Sequence, residues 1–385
     1  MTHRLHLRTL TPVHVGSGTD YQGNIEYLVF ARERQIAVID EAKVLQVIGT
    51  ENMDQWLAII NNRTSLLDYL KKRNPDLQPE DIARHILHIP EGVDLPKPEN
   101  ALKACIRGGT QQQPYLPGSS LKGSVRTAIL THLIKKDQRR FVSEEKNLKD
   151  RFSKRLSDKD LDNHYLAAGY QGQGETPNRD ILRLLRISDC AFDARTICIT
   201  SRILNLEHKG WKEKRRERSY WECLPAGVTA QGTLQIPEEL RAQIIKERYM
   251  YQNIGDLKNA KTLFERINDH TLHLVQEEIG FWKEEAGLGD ISEEGEGLLE
   301  KLEDLQRQIQ ACDTAQTCVL RVGAGSGWLF MTGGWAKDPK LISDDLWDQI
   351  RRSIQRKTYD DMPAPKTRKF TDGSLPFGFV QISLI

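Results

Sequence analysis

Apolar and polar positions first alternate at Leu5-His6-Leu7-Arg8-Thr9-Leu10, the period of a strand with one buried face. Apolar runs over 25–30 and 35–39 predict two more strands, and 24–39 reads as a hairpin turning near Arg32-Glu33. Helices are predicted over 41–48 and 54–70, and the Pro-rich residues 90–98 interrupt regular structure. Leu121, Val125, Ala128 and Ile129 recur at helical spacing, which predicts a helix from about Ser120 to Ile134 with a charged continuation toward Leu156. Residues 171–178 form a Gly-rich loop. The β-branched and aliphatic stretches 181–187 and 196–206 predict strands, and 222–236 predicts a strand kinked at Pro225–Gly227. Long helices follow over 237–248, 254–285 and 298–310. A short strand at 318–322 runs into a glycine-rich turn, and 377–384 alternates again. Each half carries strands, intervening helices and a glycine-rich turn. The pattern predicts an α+β protein of two domains, 1–194 and 195–385, each with a mostly antiparallel sheet and helical insertions.

A chain of 385 residues is long enough for two cores, and 38% hydrophobic with 28% charged residues suits a globular protein. No run of eighteen apolar residues occurs, and Met1-Thr2-His3-Arg4-Leu5 lacks the apolar region of a signal peptide. A cytoplasmic protein with no membrane contact is expected. The six cysteines form no C-x-x-C pair and no zinc spacing, so they read as reduced thiols, with no metal or cofactor expected.

The net charge of +1 conceals segregation. Residues 208–220 carry six Lys/Arg against two Glu, and 351–369 carry seven against two Asp. Residues 277–304 carry eleven acids against two lysines. Such blocks suit one face for a polyanion and another for a basic partner, or two solvated helix faces.

Chemistry concentrates in three turns. In Pro117-Gly-Ser-Ser-Leu-Lys-Gly-Ser-Val-Arg126, Pro-Gly makes a turn and Ser119 and Ser120 offer N-cap hydroxyls. Lys122 and Arg126, four apart, share one side of the helix. A helix start already favours anions, so Gly118, Ser119, Ser120, Lys122 and Arg126 make either a phosphate cradle or an ordinary capped helix. The order of Lys and Gly differs from that of a nucleotide-binding loop, which disfavours a nucleotide-binding enzyme. Arg321, Gly323, Gly325, Ser326 and Gly327 repeat these ingredients, with Trp328 available for stacking or for burial. The third turn, Thr11-Pro-Val-His-Val-Gly-Ser-Gly18, holds His14, suited either to proton transfer or to hydrogen bonding. His85 and His88 lie three apart without a partner to complete a metal site and read as helix-surface residues, and Asp189 reads as the cap of a following turn. Within 209–220, Trp211 and Tyr220 bracket the cations, a pattern compatible with base stacking or with packing.

The turns at 11–18, 117–126 and 321–327, with Leu185-Arg-Ile-Ser-Asp189 and the E-x-x-P-A-G of Glu222 to Gly227, resemble the RAMP superfamily of CRISPR-associated proteins. The resemblance spans nearly the whole chain. It is greatest to the Csm-type subunit that caps the crRNA 3′ end in type III-A effectors, with the related type III-B capping subunits as the alternative. It implies tandem ferredoxin-like or RRM-like domains and a non-catalytic crRNA-binding subunit that supports assembly and crRNA maturation in antiviral defence. Implied partners are crRNA, nearby target RNA, neighbouring backbone subunits and recruited host nucleases. The RNA-contact set is then His14, Gly16, Ser17, Gly18, Gly118, Ser119, Ser120, Lys122, Arg126, Arg321, Gly323, Gly325, Ser326 and Gly327. Related endoribonucleases use histidine without metal, so a crRNA-processing nuclease centred on His14 is the alternative. Asp20 does not align with the loop aspartate that cuts target RNA in backbone paralogues.

Overall fold

The alternating N-terminal segment forms β1 (Thr2–Thr9), in which Leu5 and Leu7 are buried while Arg4, His6 and Arg8 beside them are not. The computed structural model describes residues 2–62, 64–138, 165–166, 180–207, 210–237, 257–285, 292–331, 334–338, 340–354 and 365–385. Strands of the first half are β2 (Gly16–Gln22), β3 (Tyr27–Phe30), β4 (Gln35–Ile39), β5 (Ala83–His88), β6 (Ala101–Cys105), β7 (Arg107–Gly108), β8 (Gln113–Leu116), β9 (Arg186–Ile187) and β10 (Cys190–Ala191). Those of the second are β11 (Ile197–Glu207), β12 (Gly210–Glu213), β13 (Ser219–Cys223), β14 (Thr229–Gln235), β15 (Thr317–Arg321), β16 (Thr367–Phe370) and β17 (Phe379–Leu384). The α-helices are α1 (Glu41–Ile48), α2 (Met53–Asn61), α3 (Leu66–Arg73), α4 (Gly118–Lys136), α5 (Ala260–Glu285), α6 (Ser292–Gln310) and α7 (Asp344–Ile354).

One sheet runs β15-β17-β1-β14-β9, with every neighbouring pair antiparallel. In chain order β1, α4, β9, β14, α5 and β17 follow the β-α-β-β-α-β sequence of a ferredoxin-like unit, with β15 added at one edge. Leu5, Leu7, Leu234 and Ile382 of this sheet share a core with Leu121, Val125 and Ile129 of α4 and Leu263 of α5. The helical spacing in the sequence thus marks the face of α4 that covers the sheet.

The second large sheet runs β2-β6-β13-β11-β5-β4-β3 and is antiparallel except at the β6–β13 and β5–β11 pairs. α1 to α3 close one end of it, with Val44, Trp56, Leu66 and Leu70 packed on Phe30 and Ile39. The acidic helices α5 and α6 pack on each other and enclose Trp211, Trp282, Phe370 and Phe379.

The protein is α+β with antiparallel sheets, as expected, but a boundary at 194/195 does not separate them. β1 lies between β14 and β17, and β5 and β6 pair with β11 and β13, so each sheet draws strands from both halves. A central strand needs hydrogen-bonding partners on both edges, and here the chain supplies them from its second half. The predicted helix over 54–70 is two helices, because α2 ends near Asn62 and Ser65 caps α3 by accepting from the Asp68 N–H at 3.2 Å. The predicted strand over 181–187 is mostly a 3-10 turn, Ile181–Leu184, capped by Asp180. The extension from 139 to Leu156, the loop at 171–178 and most of the helix at 237–248 lie outside the described residues. Among the described residues no helix is long and apolar enough to cross a membrane.

Candidate nucleic-acid interface

The turn after β1 crosses from one sheet to the other. Val13 exchanges backbone hydrogen bonds with Leu224, at 3.0 and 2.9 Å. His14 follows, 3% exposed, with its ring 4.8 Å from that of Trp221. Its Nδ1–H donates to the Glu222 carbonyl oxygen at 2.7 Å, which fixes the tautomer. Burial pushes the imidazole below its ordinary pKa, against the opposing hydrogen bond and charge of Glu222, so the ring is a neutral strut at pH 7. The His14 carbonyl accepts from the Ala324 N–H at 2.8 Å. Gly323 passes so close that a Cβ there would lie 2.4 Å from that carbonyl oxygen, at φ +79. The first and last glycine turns therefore abut, although more than 300 residues separate them.

The third turn joins them. The Ser124 hydroxyl donates to the Arg321 carbonyl at 2.8 Å. At the start of α4 the N-cap is Pro117, and neither Ser119 nor Ser120 caps the helix. The Gly118 N–H instead donates to the Asp189 carboxylate at 2.8 Å, and a Cβ on Gly118 would meet the Ile187 carbonyl at 2.1 Å. The anion expected at this helix start is thus in part the chain's own Asp189, which caps α4 rather than a following turn. Arg126 pairs with Asp180. Lys122 is half-buried, and burial lowers its pKa, aided by Arg126 and Arg186 and opposed by Asp180. Ser119 and Gly123 stay exposed.

Arg321 points inward. Its Nε donates to the Phe377 carbonyl at 2.7 Å and its Nη2 to that of Gly325 at 3.1 Å, while the guanidinium lies over Phe330 and Phe379 at 4.6 and 4.9 Å. Burial lowers its pKa to about 10. It braces the loop from behind, and Ser326 closes the loop by donating to the Gly323 carbonyl at 3.0 Å. Trp328 packs against Trp347, ring centroids 5.8 Å apart. Gly325 and Gly327 also adopt positive φ, at +82 and +77.

The profile of the RAMP superfamily matches residues 6–329, which includes all five of these segments. This chain belongs to the RAMP superfamily. A subunit of a type III-A complex, solved by cryo-EM as the Csm–crRNA–target RNA ternary complex, shares its fold with a TM-score of 0.74. Identity there is 19%, and each chain is covered over 100% of its length. The crystal structure of T.onnurineus Csm5 matches with a TM-score of 0.68 and 20% identity, covering 97% of this chain and 99% of that one. No curated protein is similar enough in sequence to count as a relative.

In this RAMP protein the joined turns leave a strip of exposed backbone, Gly16 to Asp20 with Ala324 and Gly327. Gly18 stands at φ +86 in open space. Two cations that the sequence reading did not single out flank the strip. Lys103 reaches to 3.6 Å from Asp20, and the exposed Lys369 holds its ammonium 5.3 Å from the Trp221 ring centroid. Burial lowers the Lys369 pKa, and the charge of Lys103 adds to this, so the two ammonium groups sense each other. Behind them Glu222 is fully buried. It accepts from the Cys105 N–H at 3.0 Å, the Thr196 hydroxyl at 2.8 Å and the Arg107 guanidinium. The E-x-x-P-A-G spacing was the only signal for it. His85, on strand β5 rather than a helix, sets Nε2 3.3 Å from Glu222 Oε1. Trp211 is buried against Phe281 and Trp282 and serves the core, not base stacking.

Proposed function

We propose that this RAMP protein is a non-catalytic, crRNA-binding subunit of a type III-A Csm effector, seated toward the 3′ end of the guide. There it abuts a neighbouring backbone subunit, supports assembly and crRNA maturation, and offers a surface to trimming nucleases. The observation that carries the reading is the meeting of the first and last glycine turns in one strip of exposed backbone beside Lys103 and Lys369, with the third turn bonded to the last through Ser124. Exposed glycine backbone lets a phosphodiester approach closely, and flanking ammonium groups attract it without reading sequence. The full-length likeness to a subunit of a Csm–crRNA–target RNA complex supports the same reading. Gly16, Ser17, Gly18, Gly327, Ser119 and Lys122 are the proposed contacts from the original set, with Lys103 and Lys369 added. His14, Gly118, Arg321, Gly323, Gly325 and Ser326 shape the strip from within, and Arg126 acts through its pair with Asp180.

His14 does not favour a nuclease. Its Nδ1–H is committed to a backbone carbonyl, and its Nε2 lies 3.1 Å from where a Cβ on Gly16 would stand. The test is binding of crRNA to the Lys103→Ala/Lys369→Ala variant across a salt series. Losing two phosphate contacts should weaken binding and reduce the log–log salt slope by about 1.4, at roughly 0.7 per contact on a single strand. An unchanged affinity and slope in a folded variant would remove the strip from the RNA site.

A further inference from the structure

Helices α4 and α5, with Leu329, residues 334–338 and Lys340, line a cavity of about 240 Å³ that none of the glycine turns lines. Thr131 lies 13 residues along α4 from Gly118, about 20 Å at 1.5 Å per residue. Its hydroxyl is buried in the cavity wall and has no hydrogen-bond partner among the described residues. A helical threonine ordinarily bonds back to the carbonyl four residues earlier, as Thr127 does to Gly123 at 3.3 Å. His270, facing the same cavity from α5, also buries an Nδ1 without a partner among the described residues. Two such atoms in one cavity are an unmet demand for a ligand's polar groups, because buried polar atoms are almost always paired.

The charge around the cavity has a sign. Lys135 pairs with Asp338 at 3.3 Å and Lys337 with Glu277 at 3.5 Å. Lys340, exposed at the rim, has no ion pair among the described residues. Burial and the charge of Lys135 hold His270 and His273 below their ordinary pKa, so both are neutral at pH 7. Three ammonium groups then face two carboxylates, an excess of one positive charge. The remaining wall is apolar, with Leu274, Leu329 and Trp335 all buried. A cavity of about 150 Å³ accommodates a benzene ring. The additional volume here suits a base held inside, with its ribose and phosphate toward the exposed Lys340 at the rim.

We propose that this cavity binds a nucleoside monophosphate unit, its phosphate drawn by the lysines and its base seated on the apolar wall within reach of Thr131 and His270. The unit comes either as a free nucleotide or as the phosphorylated end of an RNA strand. The site is independent of the glycine-turn strip and of the function proposed for it.

The test is calorimetric titration and thermal unfolding of the full chain with AMP, CMP, GMP and UMP. Adenosine and inorganic phosphate serve as half-ligands, and a short RNA with a terminal phosphate as the strand-end probe. Saturable one-to-one binding of a monophosphate, at least tenfold tighter than either half-ligand, is expected for a free nucleotide. If only the phosphorylated RNA binds in a Lys340-dependent way, the strand end is the source. Lys340→Glu should weaken binding at least tenfold. Thr131→Val should raise the unliganded Tm, because it removes a lone buried hydroxyl, and yet weaken binding at least threefold. Lys103→Ala/Lys369→Ala should leave nucleotide binding unchanged. Absence of saturable binding by every probe, inorganic phosphate binding as tightly as a nucleotide, or indifference to both cavity variants would each overturn the proposal.

Discussion

Replacing Arg107 by Met should cost this protein about 3–5 kcal/mol, the usual penalty for leaving one member of a buried ion pair behind. Glu222 has no exposed surface, and Arg107 meets it through Nε at 3.1 Å and through Nη2. Burial alone would raise the Glu222 pKa, but His85 and Arg107 outweigh it and hold the carboxyl at about 2. The ordinary value in an unfolded chain is about 4.3, so the folded group is depressed by roughly 2 units, or about 3 kcal/mol at 1.36 per unit. That stabilisation is fully present above about pH 4.3 and is lost as the pH falls toward 2. Arg107→Met should therefore lie well below the wild type at pH 7, and the gap should narrow as the pH falls from about 4.3 toward 2. Taking about 2.1 cal/mol/K per residue, unfolding of the whole chain as one unit has an entropy near 0.8 kcal/mol/K, so Tm should drop by about 4–6 °C. Circular dichroism melts at pH 7, 5, 4 and 3 would measure it. A drop under about 1 °C at pH 7, or a gap that stays constant down to pH 3, would refute the argument.

Gly323→Ala should cost about 2–3 kcal/mol in denaturant unfolding, because it adds a contact 2.4 Å from the His14 carbonyl to the strain of positive φ. Gly327→Ala, at similar φ but in open space, should cost only about 1 kcal/mol, and equal losses would deny the close approach. Lys122→Ala should lower the salt slope of RNA binding by about 0.7, more than Arg126→Ala does, since Arg126 already faces Asp180. A larger effect from Arg126 would reverse their roles. His14→Ala should lose about 2–4 kcal/mol through its packing on Trp221 and its bond to Glu222. Neither it nor the wild type should cut repeat RNA in chelator. Metal-free cleavage by the wild type that is absent in the variant would assign the histidine to catalysis.

Elements whose signals are local were legible. α1 begins at Glu41 because the Asp40 carboxylate accepts from the Ala42 and Lys43 N–H groups, and capping is written in adjacent residues. The glycine turns were legible because positive φ favours glycine, as at Gly18, Gly323, Gly325 and Gly327. What side chains do across long separations was not. Asp189, which takes the Gly118 N–H, lies 71 residues away, and the bond from Ser124 to Arg321 spans 197. A cation in a glycine-rich motif reads as a phosphate contact whether it stays partly exposed, as Lys122 does, or braces the loop from behind, as Arg321 does. The domain boundary failed for the same reason. Periodicity marks β1 and β17 as strands, but only their register, Leu7 opposite Ile382, makes them neighbours.

Interleaving the halves has a mechanical consequence for the strip. The segment that leads into it, Thr11 to Val15, is fixed by distant chain. The Thr11 hydroxyl accepts from the Phe379 N–H at 2.9 Å, Val13 pairs with Leu224, and His14 bonds both Glu222 and Ala324. A backbone held this way is already in place when a polyanion arrives, so binding forfeits little conformational entropy. Two kinds of variant should then separate cleanly. Lys103→Ala/Lys369→Ala removes charge and should lower both affinity and salt slope. Arg107→Met removes no proposed phosphate contact but loosens the Glu222 framework, so it should lower affinity while leaving the slope unchanged. If both variants moved the slope alike, the strip would owe its binding to charge alone, and the converged glycine turns would have no part in it.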